Sequence, residues 1–439
     1  HFLMMQLKIH RGTHEIGGSC VEITSHDSRI VIDIGMPLVK EGGGKFDLKE
    51  HKDLTGPELV QTGVLPDIKG LYEWDTSNKP IDGLLISHAH MDHYGFLPYI
   101  NQNVHCYLGE GTKRLIDITS LFLAFKTAIN RHTFIKSGEP LWVGAFKVTP
   151  YLMDHASFDA YAFLVESDSK KVLYTGDFRE HGRKAKAFQW FLLNAPKDID
   201  VLLLEGTMVG NRKEASKTEG DIEQEFVHAI KDTEGIVLAL LSGQNIDRIV
   251  SLYRATVRTG RTFVVDVYTA NVLADLHDLA KIPYLSKEFD RIRVLFPCRL
   301  SKKIATMGRK DLLYRFKTSK ITKNEIMEKP DTMVMLVRSS MISDLASMKN
   351  IDGATVIYSM WQGYLNESSM KPFLDFTQKK NMQLVSVHTS GHAYIKTLQK
   401  VVKTLRPKTI IPIHTFSPER YSTLFSNVVQ TLDGQEISV

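Results

Sequence analysis

Four side chains able to bind a divalent cation stand within six consecutive positions. They are His88, His90, Asp92 and His93, in the run Ser87-His88-Ala89-His90-Met91-Asp92-His93. Imidazole nitrogen and carboxylate oxygen suit zinc or a similar ion. A loop leaving a buried strand can turn His88 and His90 toward one ion and Asp92 and His93 toward another. More donors end later apolar runs: Asp154-His155, then Asp177 in Thr175-Gly176-Asp177-Phe178, and His414 after Ile411-Pro412-Ile413. Singly, each is equally well explained as a turn-former or cap. Jointly they complete two sites of four to five ligands, with Asp177 bridging and a shared hydroxide as nucleophile, the constellation of a two-metal hydrolase.

Such donors need strand ends to hold them. The runs Arg29–Asp33, Gly83–Ser87, Lys171–Asp177 and Val201–Glu205 are apolar with a polar residue at the C-terminal edge, where sheet-based sites place their ligands. From about Gly220 the rhythm becomes an alternation of helix and strand. Asp221–Asp232 and Asn245–Thr259 read as helices, and Gly235–Leu241 and Thr262–Val267 as strands. That pattern implies a parallel sheet with right-handed crossovers. The simplest organisation is one α/β domain over 1–207, interrupted by a parallel-sheet domain over 208–383 and completed by 384–439.

The composition is that of a soluble globular chain: 439 residues, 43% hydrophobic, 24% charged, net charge +5. No apolar run approaches the roughly 20 residues that span a bilayer, so no membrane partner is expected. The first residues lack the charged-then-apolar pattern of a secretory leader. Three scattered cysteines make neither a disulfide framework nor a thiolate zinc site, and a reducing, cytoplasmic setting is the expectation. Positive charge concentrates between Arg299 and Lys329, where a solvated helical face and a track for a phosphate backbone carry equal weight.

Taken together, HAHMDH, Asp154-His155, TGDF and a strand-end histidine resemble the metallo-β-lactamase superfamily. The segments HTSGHA (His388–Ala393) and IPIH (Ile411–His414) narrow the resemblance to the β-CASP nucleases, in particular the ribonuclease J group. Supporting stretches are Glu15-Ile16-Gly17-Gly18, Leu65-Pro66-Asp67 and Ser242–Arg248. The resemblance implies an αββα sandwich with an inserted β-CASP α/β domain. It implies that His88, His90 and His155 hold one metal and that Asp92, His93 and His414 hold the other, with Asp177 between them. Zinc is the expected ion and manganese the alternative. His392 matches the family's junction histidine and is expected to protonate the leaving group, oriented by Glu205. His388, Ser390 and Gly391 are expected to cradle a substrate phosphate, with Arg338 and Ser339 as a second anchor.

The expected activity is hydrolysis of single-stranded RNA, from the 5′ end or internally. DNA is the alternative polymer, by the same chemistry, and a small ester or lactone is the alternative substrate of the fold. His414 at the last motif goes with RNA enzymes in this family. Nothing in the sequence indicates a homo-oligomer.

Overall fold

A computed structural model describes residues 5–122, 127–210 and 216–439. The chain divides into two units, His1–Lys213 with Gly391–Val439, and Glu214–Ser390.

Alternate side chains of successive strands build the core of the first unit. Leu7 and Ile9, Val21 and Ile23, Ile30 and Ile32 alternate along three successive strands, and their side chains meet Phe163, Val165, Val172, Leu203 and Ile411 of a second sheet in one core. Two sheets therefore pack face to face. The first has seven strands in the spatial order Glu436–Ser438, Gln6–Arg11, Cys20–Ser25, Ser28–Ile32, Gly83–Leu85, Cys106–Leu108, His132–Phe134. It is antiparallel up to Ser28–Ile32 and parallel beyond it. The second runs Thr409–Ile413, Val201–Glu205, Lys170–Tyr174, Ala160–Ser167, Phe146–Met153, Leu141–Val143. Its outer face carries Leu164, Leu173, Leu202 and Ile410 and is covered by the helices Ala185–Asn194 and Ile395–Leu405 through Phe188, Phe191, Leu398 and Val401. The first sheet's parallel strands are joined through the helices Met91–Tyr94 and Glu110–Ser120. Such crossovers pack on a sheet face, and the inner face is already occupied by the other sheet.

The second unit holds one six-stranded sheet, in the order Ile292–Leu295, Thr262–Asp266, Met333–Val337, Val237–Leu240, Thr355–Tyr358, Gln383–Ser386. Every pairing in it is parallel. Its central strands Met333–Val337, Val237–Leu240 and Thr355–Tyr358 are buried, almost wholly apolar runs, as burial on both faces demands. The second division lies at 390/391, later than the sequence expectation of 383/384; the first, expected at 207/208, falls next to residues outside those described. That difference has a clear cause: Gln383–Ser386 pairs with Thr355–Tyr358 and so closes the inserted sheet. Among the described residues, no helix is long and apolar enough to cross a membrane.

Candidate metal centre

The centre lies wholly in the first unit, where loops leave the C-terminal ends of strands of both sheets. After Gly83–Leu85 the chain turns into the short helix Met91–Tyr94, with His90 at its N-cap. That turn is fastened from one side: Ser19 N donates to Asp92 O, Ile34 N to His93 O and Met36 N to Met91 O. Gly35 makes the fit possible, since a Cβ there would fall 1.7 Å from Asp92 O. Gly176 takes φ +55° in the turn that delivers Asp177. Two non-glycine residues at the centre, Asp33 (φ 59°) and His414 (φ 55°), also adopt left-handed backbone, a strain of about 1–3 kcal/mol each that functional sites often store.

Two groups of donor atoms converge here. One comprises His88, His90, His155 and Asp177, and the other Asp92, His93, Asp177 and His414. Within each group every donor atom lies within 4.8 Å of the others, and Asp177 belongs to both. A third group joins Glu205, His392 and His414.

The hydrogen-bond pattern fixes which ring nitrogens face inward. Ser87 Oγ donates to Asp33 Oδ2 at 2.7 Å, so its 3.0 Å contact with His88 must be accepted from His88 Nδ1. His155 Nδ1 donates to Gly391 O at 2.7 Å. Both rings therefore aim an unprotonated Nε2 at His90 Nδ1, at 3.1 and 3.3 Å. One proton at most is available to three converging nitrogens. Nitrogens held by one tetrahedral zinc, at bonds of about 2.0–2.1 Å, stand about 3.4 Å apart. His93 follows the same rule, with Nδ1 donating to Asp33 Oδ2 at 2.8 Å and Nε2 3.1 Å from Asp177 Oδ2. His414 Nδ1 meets Thr207 Oγ1 at 2.8 Å, and its Nε2 meets Asp92 Oδ2 at 3.2 Å. Each ring is thus oriented by one nitrogen and offers the other, as metal-ligating histidines do. Asp177 Oδ1 is buried without a hydrogen-bond partner among the described residues. A buried carboxylate oxygen left so is costly unless a cation meets it. The donor set fits two divalent ions.

Electrostatics agree with that fit. Burial, then the neighbouring imidazoles, holds His88 well below the ordinary range. Burial takes His90 down to about 4 and likewise lowers His155. These three rings stay neutral and ligand-competent near pH 7. Burial raises the carboxyl of Asp92, yet His93 and His414 outweigh it and bring it to about 2. Asp177 is lowered well below the carboxylate range against the same burial cost, chiefly by His414, His93 and His392. Burial opposes a proton on His93, but Asp177, Asp33 and Asp92 overcome it and raise that ring. In the metal-free chain His93 therefore carries the proton that a cation must displace.

Around the centre, Glu205 accepts from Thr207 N at 2.9 Å and from Ala393 N at 3.2 Å. His392 Nδ1 lies 3.5 Å from Glu205 Oε1 and 3.8 Å from Asp177 Oδ2, with the ring one-fifth exposed. Gly391 enters through its carbonyl, which orients His155. Asp154, a downstream donor on sequence grounds, is in neither group; it accepts from Gly182 N at 2.7 Å and lies 3.5 Å from the buried Arg179. His388, Ser390, Arg338 and Ser339 belong to the inserted unit. There His388 Nδ1 is 3.4 Å from Arg248 Nη1, and Ser390 is buried. Arg338 is bonded to the buried carboxylate of Asp266 and lies over the Tyr268 ring at 4.7 Å, so its charge is already matched. Ser339 opens the 3-10 turn Ser339–Met341.

Sequence reasoning passed over Asp33, whose two oxygens take Ser87 N, Ser87 Oγ, His93 Nδ1 and Tyr174 OH. Its signal was the one used elsewhere, an acid at the end of an apolar strand.

Comparison with known proteins accords with this geometry. Residues 15–111 match the family model described as metallo-beta-lactamase superfamily, and 65–242 match a beta-lactamase superfamily domain. Residues 377–418 match a Zn-dependent metallo-hydrolase RNA specificity domain. A ribonuclease J of Helicobacter pylori (strain B128) is 25% identical over 431 residues, covering 92% of this chain and 55% of the relative. The chain thus spans about half the length of that relative. A probable RNase of Methanocaldococcus jannaschii is 23% identical, over 91% of this chain and 90% of its own length. A crystal structure of a protein of unknown function from Enterococcus faecalis V583 shares the fold, with TM-score 0.80, 22% identity, and 99% and 100% of the two chains covered.

Proposed function

The chain belongs to the metallo-β-lactamase superfamily, and from that premise we propose that it is a metal-dependent ribonuclease of the ribonuclease J kind. It cleaves single-stranded RNA at a centre of two divalent cations, zinc first and manganese as the alternative. The observation that carries the reading is Asp177, one carboxylate shared by two groups of converging donors. His88, His90 and His155 would hold one ion and Asp92, His93 and His414 the other. When bound, the ions supply Lewis acidity at the phosphoryl oxygens and a hydroxide nucleophile. The RNA part rests on the specificity-domain match over 377–418 and on the names of the relatives.

The chain's own groups do the rest. His392 would donate a proton to the departing ribose oxygen, a role supported by its position 3.5 Å from Glu205 and its partial exposure to solvent. Glu205, pinned by two backbone amides, keeps that ring in position. Gly391 orients His155 by its carbonyl, and His388 and Ser390 are assigned to the substrate phosphate. Cleavage begins at the 5′ end or internally, and a cytoplasmic setting belongs to the same reading.

Metal-loaded protein should be given matched RNA and DNA oligonucleotides bearing a 5′-phosphate or a 5′-hydroxyl. The reading expects metal-dependent loss of RNA, fastest with the 5′-phosphate. Cleavage of DNA alone would make the chain a DNA nuclease. Hydrolysis of a generic ester with both polymers intact would leave only the fold.

A further inference from the structure

Charge is distributed very unevenly within the inserted unit. From Arg291 to Lys329 the sequence has twelve Lys and Arg against three Asp and Glu, a surplus of nine in a chain whose total surplus is five. The remaining residues are therefore net acidic. In the fold this stretch forms one edge of the inserted sheet. Ile292–Leu295 is the edge strand, the helix Cys298–Thr306 follows it, and the helix Asp311–Tyr314 packs on that helix. The chain then returns to the strand, where Ile321 N donates to Val294 O at 2.9 Å. Ile304, Leu312, Phe316, Ile321 and Ile326 are the buried anchors. With the apolar side so committed, the long cations between them are left on the outer face.

Few of these cations are neutralised. Arg309 pairs with Asp311, Arg315 with Asp275 and Lys323 with Asp344. Arg299, Lys302, Lys310, Lys317 and Lys329 are exposed, with no carboxylate in ion-pair range among the described residues. Lys320 lies over the Phe296 ring at 5.2 Å, and Tyr314 is 66% exposed. Unmatched cations with an aromatic set among them fit a polyanion whose phosphates repeat along a flexible backbone and whose bases can stack.

We propose that this basic edge, Arg291–Lys329, is a docking surface for single-stranded RNA, held by its phosphate backbone with Tyr314 as a stacking platform. The proposal rests on the ribonuclease reading and extends it to an anchoring surface in the inserted unit.

The test compares the chain with a Lys302→Ala, Lys310→Ala, Lys317→Ala triple variant. Binding of a labelled single-stranded RNA is measured by fluorescence anisotropy across a salt series, in an Asp177→Asn background so that RNA is not consumed. Loss of three phosphate contacts should weaken binding by about tenfold or more and flatten the slope of log affinity against log salt by about 2, at about 0.7 per contact. Tyr314→Ala should weaken binding with the slope unchanged. A Lys371→Ala, Lys380→Ala control, whose lysines pair with Asp375 and Asp352, should bind as the parent does. Parental affinity and slope in the triple variant, with RNA still degraded by the native chain, would overturn the surface and leave the ribonuclease reading standing. The cations would then be a solvated guard on an edge strand. A native chain that neither binds nor degrades RNA would overturn both.

Discussion

Two clusters of largely buried polar and ionisable side chains, one in each unit, are assembled on opposite rules. In the inserted unit Arg248 is wholly buried, and each of its nitrogens has a partner. Nε and Nη2 donate to Glu219, Nη1 to Ser359 Oγ at 2.7 Å, and Nη2 also to Thr389 O at 3.1 Å. Glu219 in turn accepts from Ser251 Oγ at 2.9 Å. In the first unit the nitrogens of His88, His90 and His155 converge with one proton at most among them, and an oxygen of Asp177 has no hydrogen-bond partner among the described residues. A closed network spends its charge on shape, here tying the helix Ile246–Arg258 to the segment before Gly391. An open one keeps charge in reserve for a cation. Burial alone does not separate a clamp from a site, whereas completeness of hydrogen bonding does.

The contrast can be broken most forcefully at Arg248. Arg248→Met leaves Glu219 buried and unmatched, and should cost about 3–5 kcal/mol of stability in urea unfolding. Adding Glu219→Leu should restore much of that loss. A single variant as stable as the parent would show that the network is not a clamp.

A smaller effect is expected at Asp33, which touches no ion in this account but holds His93. Asp33→Asn keeps the shape and removes the charge that fixes the ring, so metal affinity should fall by about 10–100-fold in a chelator competition. Unchanged affinity would remove Asp33 from the support of the centre.

The smallest effect is a dependence on pH in the metal-free chain. Burial holds His90 down to about 4, so the folded chain binds fewer protons than the unfolded one between about pH 6.5 and 4. This ring's contribution makes stability fall as pH drops through that window. His93 has the opposite sign: its raised value adds stability that is complete below about 6.5 and fades as pH climbs through the raised value. Replacing His90 by Asn should flatten the acid side of the urea profile, and an unaltered profile would refute the assignment.

The sequence made the fold legible where patterns are strong. The apolar parallel strands of the insertion and the strand ends at Ser87, Asp177, Glu205 and His414 were all visible as runs with polar terminators. Gln383–Ser386 was misplaced because a strand's partner is a tertiary fact: its residues are mostly exposed and carry no mark of which sheet they join. The donors that the structure gathers were legible because their residue types have few other uses at such density. Thr207 was not, and the strand-end position of Asp33 gave no hint of its partner, since both act on histidines distant in sequence through hydrogen bonds that only the folded chain creates. Asp154 looked like a donor by adjacency to His155, yet neighbours at a strand end point to opposite sides, and its carboxylate serves Arg179 and Gly182 instead.

The central claim is that one shared carboxylate makes the open cluster a centre for two ions. Calorimetric titration of the metal-free chain with zinc, run in two buffers of different ionisation enthalpy, tests it directly. The account expects two zinc ions per chain with net proton release, and fewer than two in Asp177→Asn. A native chain that takes up no zinc, or an Asp177→Asn variant that binds two with unchanged affinity, would contradict it.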